Sequence, residues 1–367
     1  MKTATAQIDL TALKENFHQI QQIASGSKVL AVLKANAYGH GLVKVAEQLK
    51  DADAFGVARI EEALALRTGG IVKPIVLLEG FLEADDLPIL VANNIEAVVH
   101  IQEQVELIER AQLSAPIKVW LKVDTGMHRL GLMPQQFLKA FERLQVSINV
   151  KPQMCLMSHL ACADERDNPM NEGQISLFDE VVLNIDGEHS CEHSCEHSLA
   201  NSAALIALPE TRRDWVRPGL LLYGVSPIDG IDVSDLSLKP VMTFKSSLIA
   251  IRKHYKGGSV GYGAAWTASE DTYVGVVAIG YGDGYPRSAP CGTPVIVNGR
   301  TVKMVGRVSM DMITVDLGPN PQEQLGDDVI LWGEGLCVEH IAKLCGTISY
   351  ELLCNVTQRV KYCYLDD

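Results

Sequence analysis

Residues 28–41 read KVLAVLKANAYGHG, and the reading of this stretch decides the fold. From Val29 to Leu33 the chain is apolar without a break, which suits a buried strand. The run ends in a single lysine, Lys34, followed by a turn of small residues closed by Gly39 and Gly41. Working outward, apolar strands recur at 28–34, 55–58, 75–79, 95–99, 117–123, 153–159, 197–201 and 214–217. A helical pattern at 11–24 precedes the first of them, and others fall at 41–50, 60–68, 83–91, 101–112, 134–144 and 171–184. Eight strands alternating with amphipathic helices predict an α/β fold, a (β/α)₈ TIM-like barrel. A doubly wound sheet is the alternative, but no glycine-rich dinucleotide turn follows the first strand.

After about residue 225 the helical period fades. Short β-rich runs appear at 241–251, 273–280, 294–297, 301–306, 311–316 and 328–331, separated by glycine turns. The expected division is a barrel over 1–225, a polar linker over 226–239 and a mainly β C-terminal domain over 240–367. Whether the extreme N-terminus returns to pair with the second domain is left open by the sequence.

A net charge of −13 argues against nucleic acid or an anionic membrane as partner. No apolar run is long enough to span a bilayer, and MKTATAQIDL lacks the apolar core of a signal peptide. Nine scattered cysteines fit reduced thiols, so a cytoplasmic location is expected. Residues 188–198, EHSCEHSCEHS, form a tandem repeat whose cysteines and histidines invite a zinc reading. The Cys191/Cys195 and His193/His197 registers interleave within one short stretch, without a second ligand cluster. A loop expansion is the better account, and no metal is expected.

Counting strands places Lys34, His159, Ser202 and Arg217 at or just after C-terminal strand ends, where barrel enzymes carry their chemistry. An amine at the end of a buried strand is poorly hydrated, which favours its neutral, nucleophilic form. Such an amine condenses with carbonyl compounds, and pyridoxal 5′-phosphate is the commonest cofactor that uses one. Asn201-Ser202 and Gly219-Leu220, after strands seven and eight, are placed to hold a phosphate. Plainer readings exist for each: a helix cap for Ser202, a pairing of Arg217 with Asp214, a core histidine at 159.

The motifs together identify a family. VLKANAYGHG (32–41), VDTGMHRLG (123–131), LANSAA (199–204), VRPG (216–219), VGYG (260–263), IGYGDGYPR (279–287) and VGRVSMDM (305–312) resemble those of alanine racemases, in the same order and over nearly the whole chain. The resemblance implies a pyridoxal-phosphate enzyme that interconverts L- and D-alanine for, or from, the bacterial cell wall. It makes Lys34 the cofactor lysine and one base, and Tyr262 the base for the opposite face. Racemisation needs two bases because one proton leaves one side of Cα and another arrives from the other. Tyrosine ordinarily titrates near pH 10, so it serves as a base only beside positive charge. The resemblance also implies that Tyr38 and Tyr350 donate to the phosphate and that Arg217, with His159 behind it, faces the pyridine nitrogen. Arginine keeps its proton, so the ring remains a weak electron sink. Arg129 is implied to bind the cofactor phenolic oxygen and the substrate carboxylate, beside Lys122, whose counterpart is carbamylated in many members. Met310-Asp311 match a segment whose amide binds the carboxylate, and Tyr281 matches a gate position. A homodimer with shared sites is implied as well.

Three other readings compete. A basic-amino-acid decarboxylase of like architecture needs a carboxylate where this chain has Arg217, and a single-barrel cofactor-binding protein would lack the second domain. A broad-specificity racemase lies closest, though such enzymes tend to be exported.

Overall fold

The computed structural model describes residues 3–188 and 195–366. Eight parallel strands close into the expected barrel: β2 (Lys28–Val32), β3 (Ala54–Val57), β4 (Ile75–Leu77), β5 (Ile95–Val99), β6 (Val119–Lys122), β7 (Cys155–Met157), β8 (Glu196–Asn201) and β9 (Trp215–Arg217). Closure runs through Lys28↔Trp215 and Val29↔Val216. Each overlaps a strand read from the sequence, because strands buried on both faces are continuous apolar runs.

The remaining strands are β1 (Thr5–Asp9), β10 (Met242–His254), β11 (Ser259–Val260), β12 (Trp266–Thr267), β13 (Thr272–Val277), β14 (Pro294–Val297), β15 (Arg300–Val305), β16 (Ile313–Gly318), β17 (Asp328–Trp332) and β18 (Lys361–Leu365). Eight of them form one sheet in the order β13-β16-β15-β14-β17-β10-β1-β18, and β13 also pairs with β10. The assignment of 1–225 to the barrel therefore needs one correction. Strand β1 lies in the second sheet, antiparallel to β10 and parallel to β18. Its five residues bury only Ala6 and Ile8, too little apolar signal to reveal a sheet partner some 240 positions away. Asp9 makes the return to the barrel: its amide donates to Val241 O (2.8 Å), and its side chain caps the helix Leu10–Ala24 at Ala12 N (2.8 Å).

Two short helices of the second domain, Val338–Cys345 and Ser349–Cys354, were not legible in the sequence. The 226–239 segment is anchored by Asn16, a fully buried amide that donates to Leu222 O and Lys239 O and accepts from Lys239 N. Of the EHSC repeat, Cys191 and His193 lie outside the described residues. Its last copy is barrel strand, in register with β7 through Cys155↔Glu196 and Met157↔Ser198. At the barrel floor Glu196 receives Lys28 (2.5 Å) and Lys118 (2.9 Å).

Candidate active site

Lys34 begins the turn Lys34–Gly39, in which Ala35, Asn36, Ala37 and Tyr38 all have φ between 50° and 55°. This is a left-handed turn built from residues with a Cβ, costing roughly 1–2 kcal/mol each. It persists because its backbone is held at many points. Asn36 Oδ1 accepts from Leu42 N (2.9 Å), and His40 Nδ1 lies 3.0 and 2.9 Å from the carbonyls of Ala37 and Tyr38. The second domain holds it from above: Tyr362 donates to Gly39 O (2.9 Å), and a Cβ on Gly39 would meet Leu353 O at 2.1 Å. Tyr362→Phe is expected to cost about 1 kcal/mol of stability in urea unfolding, because it removes one hydrogen bond without opening a cavity.

The turn opens onto a cavity of about 560 Å³ at the barrel mouth, lined by Lys34, Tyr38, Lys122, Arg129, His159, Ser202, Arg217, Gly219 and Tyr350. All nine are residues singled out from the sequence. Leu220, buried behind them, lines a neighbouring cavity instead.

Arg217 is buried and donates only to neutral acceptors: Ser198 Oγ (2.6 Å), Ser158 O (2.6 Å) and Leu199 O (3.2 Å), with His159 Nδ1 at 3.4 Å. It does not pair with Asp214, whose carboxylate takes the His197 amide at 2.7 Å. Burial lowers the guanidinium to about 10, so it keeps its proton at neutral pH. His159 is pushed well below the usual histidine range by burial and by Arg217, Lys122, Arg129 and Lys34, and stays neutral.

Lys122 is also buried, and desolvation together with the Arg217 and Arg129 charges lowers it to about 8. Charging it therefore costs the folded protein stability below about pH 8, a cost that fades as pH rises toward the ordinary lysine value of 10.5. Lys122→Met is expected to stabilise the cofactor-free protein at pH 7 by roughly 3 kcal/mol, with the gain vanishing near pH 10.5. Urea unfolding in carbon-dioxide-free buffer checks this, and a gain independent of pH would refute it.

The cap of the helix Ser202–Ala207 is Asn201, whose side chain accepts from Ala204 N at 2.9 Å. Ser202 is thereby released from the capping role, and its hydroxyl accepts from Gly219 N (2.8 Å). A Cβ on Gly219 would lie 2.6 Å from the Tyr38 hydroxyl, so only glycine lets the backbone approach that closely. The Tyr38 and Tyr350 rings stand 5.8 Å apart. Burial raises Tyr350 to about 12 and Tyr38 further, so both are neutral donors. Tyr350 belongs to the helix Ser349–Cys354, through which the second domain reaches the cavity of its own chain. Cys354, one turn beyond it, also lines the cavity, and no pattern in the sequence singled it out.

Four of the sequence candidates lie elsewhere. Tyr262 (69% exposed), Tyr281 (40%), Met310 (54%) and Asp311 sit on the second domain and do not line the cavity. The Tyr281 and Met310-Asp311 segments are neighbours through backbone bonds from Tyr281 N to Ser309 O and from Gly282 N to Met310 O, while Arg359 joins Asp311 (2.7 Å) to Asp283. Gly263, next to Tyr262, lies against the Arg307 guanidinium.

The chain thus sets an amine, a buried guanidinium and several hydroxyls at the mouth of a parallel barrel that is followed by a β domain. Comparison with known proteins identifies the family. Residues 8–227 match the family description "Alanine racemase, N-terminal domain", and residues 241–364 match "Alanine racemase, C-terminal domain". Alanine racemase of Vibrio vulnificus (strain CMCP6) is 55% identical over 364 residues, 99% of each chain, and that of Aliivibrio salmonicida (strain LFI1238) is 54% identical over the whole of both. The crystal structure of biosynthetic alanine racemase from Pseudomonas aeruginosa superposes with a TM-score of 0.93 at 43% identity, covering all of both chains. The structure of alanine racemase from Acinetobacter baumannii gives 0.93 at 38%, again over all of both. The chain belongs to the alanine racemase family, and its reaction is the racemisation of alanine. Among the described residues no helix is long and apolar enough to cross a membrane.

Proposed function

We propose that the chain racemises alanine with pyridoxal 5′-phosphate in the barrel-mouth cavity, by a two-base mechanism in a homodimer. The observation that carries this reading is electrostatic. Lys34, Lys122, Arg129 and Arg217 share one cavity, and none has an ion-pair partner among the described residues. Four cations outnumber the one lining carboxylate, Glu79, which is itself paired with Arg59 (3.3 Å), so the cavity favours anions, and a phosphate plus a substrate carboxylate fit it. The donor set also fits the cofactor's other groups: an amine for the aldehyde, hydroxyls around Gly219 for the phosphate, and a permanent cation for the ring nitrogen.

When bound, the cofactor supplies the electron-withdrawing system that lets the Cα proton of alanine leave. The residues do the rest. Lys34 holds the cofactor and moves the proton on one face of Cα, and Tyr262 of a second copy does so on the other. Arg129 and the Met310 backbone amide of the second copy bind the carboxylate, with Asp311 fixing that segment through Arg359. Tyr38, Tyr350, Ser202 and the Gly219-Leu220 backbone hold the phosphate. Arg217, steadied by His159, donates to the ring nitrogen without surrendering a proton, which favours proton return over side reactions. Carbamylation of Lys122 would replace a cation crowded by Arg129 and Arg217 with an anion. Tyr281 of the second copy would serve as a gate at the mouth. The physiological setting is the supply or consumption of D-alanine for the bacterial cell wall, in the cytoplasm. The test is a racemisation assay over a panel of L-amino acids, with and without added cofactor. Turnover strongest for alanine, lost when the cofactor is stripped with hydroxylamine and restored when it is added back, is expected, and turnover by the stripped protein would overturn the reading.

A further inference from the structure

We infer that Glu62 is a positioning residue for Lys34, holding the amine at the barrel mouth through the backbone of the turn that follows it. The inference rests on the reading of Lys34 as the reactive amine.

Glu62 lies in the first turn of the helix Ile60–Thr68, and its two oxygens bind two different segments. One, Oε2, accepts from Ala58 N (2.9 Å) and Arg59 N (3.2 Å), just past the end of β3. The other, Oε1, accepts from Ala35 N at 2.7 Å, the amide adjoining Lys34. The bonds to Ala58 and Arg59 are what a helix-start carboxylate makes for its own helix. The bond to Ala35 has no part in that helix. It ties the exits of the first two barrel strands together at the residue where the left-handed turn begins. Four successive non-glycine residues at φ of 50–55° do not hold themselves, since such backbone persists only where its surroundings over-determine it. Asn36 and His40 secure the far side of the turn, and Glu62 secures the side next to Lys34.

Glutamine is the informative replacement. It is nearly isosteric but has one acceptor oxygen where glutamate has two. In either orientation one set of bonds is lost, and an NH₂ group then faces a backbone N–H. The experiment compares parent, Glu62→Gln and, as control, Glu61→Gln, whose side chain is exposed one position away. Three readouts are taken: kcat and KM, the rate at which added pyridoxal phosphate is trapped on Lys34 by borohydride (located by peptide mapping), and the urea midpoint. In Glu62→Gln, kcat and the trapping rate should each fall about tenfold with KM within about twofold, as expected for a misplaced reactive group. Glu61→Gln should match the parent.

Equal kcat and trapping rates in Glu62→Gln and parent overturn the positioning role. A lower urea midpoint with both rates unchanged overturns it too, leaving Glu62 a helix cap. A parent trapped at some lysine other than Lys34 defeats the proposed function itself, and the two failures are thereby distinguished. Should Glu62→Gln not fold, amide exchange in the parent decides. The Ala35 amide should be protected about a hundredfold over an unstructured chain, and exchange at the unstructured rate refutes the clamp.

Discussion

The Lys34→Ala protein is expected to lose alanine racemisation in both directions by about 10⁴-fold or more, because one substitution removes both the cofactor attachment and one of the two bases. The loss should occur in a folded protein. Lys34 makes no ion pair among the described residues, and its charge works against Lys122 and His159, so truncation relieves the site electrostatically. Initial rates from L- and D-alanine, measured beside a thermal melt, check this. Activity within tenfold of the parent would remove Lys34 from the mechanism, as would borohydride trapping of the cofactor on another lysine.

The second large effect concerns assembly. Tyr262 is 69% exposed on the second domain and does not line the cavity that holds Lys34 in the same chain. If a partner supplies it, two inactive variants, Lys34→Ala and Tyr262→Phe, should complement each other once subunits exchange. A hybrid dimer then has one site with intact Lys34 and intact Tyr262, and a twin with neither. Random exchange makes about half the dimers hybrid, so roughly a quarter of parental activity per total site should return. With exchange confirmed separately, a mixture that stays inactive places both bases in one chain and defeats the shared site.

The barrel was legible because its strands are buried on both faces and its helices are amphipathic. Those patterns are local, and strand counting alone carried Lys34, His159, Ser202 and Arg217 to the C-terminal ends. Position after strand eight gave Gly219, and the family resemblance added Tyr38, Lys122, Arg129 and Tyr350; the fold collects all of these in one cavity. What escaped notice shares a different physics. Strand β1 half-buries every second residue, strand β18 exposes Lys361, Cys363 and Leu365, and the two pair with each other across almost the entire chain, a partnership no local pattern encodes. The alternative roles considered for Ser202 and Arg217 were settled by neighbours. Asn201 takes the helix cap, and Asp214 is occupied by the His197 amide.

By itself, then, the sequence determined the strand–helix order, the two-part architecture and the identity of most groups that can carry chemistry, since each rests on residue type and short-range spacing. Only the tertiary structure decided the states of those groups. Lys122 falls to about 8 because folding strips water from it and sets Arg217 and Arg129 beside it, and Arg217 falls to about 10 through burial, which no spacing along the chain encodes. It also decided the left-handed turn after Lys34. That backbone is unfavourable for Ala-Asn-Ala-Tyr as a peptide, and it exists because Glu62, Tyr362 and Leu353, distant in the chain, converge on it.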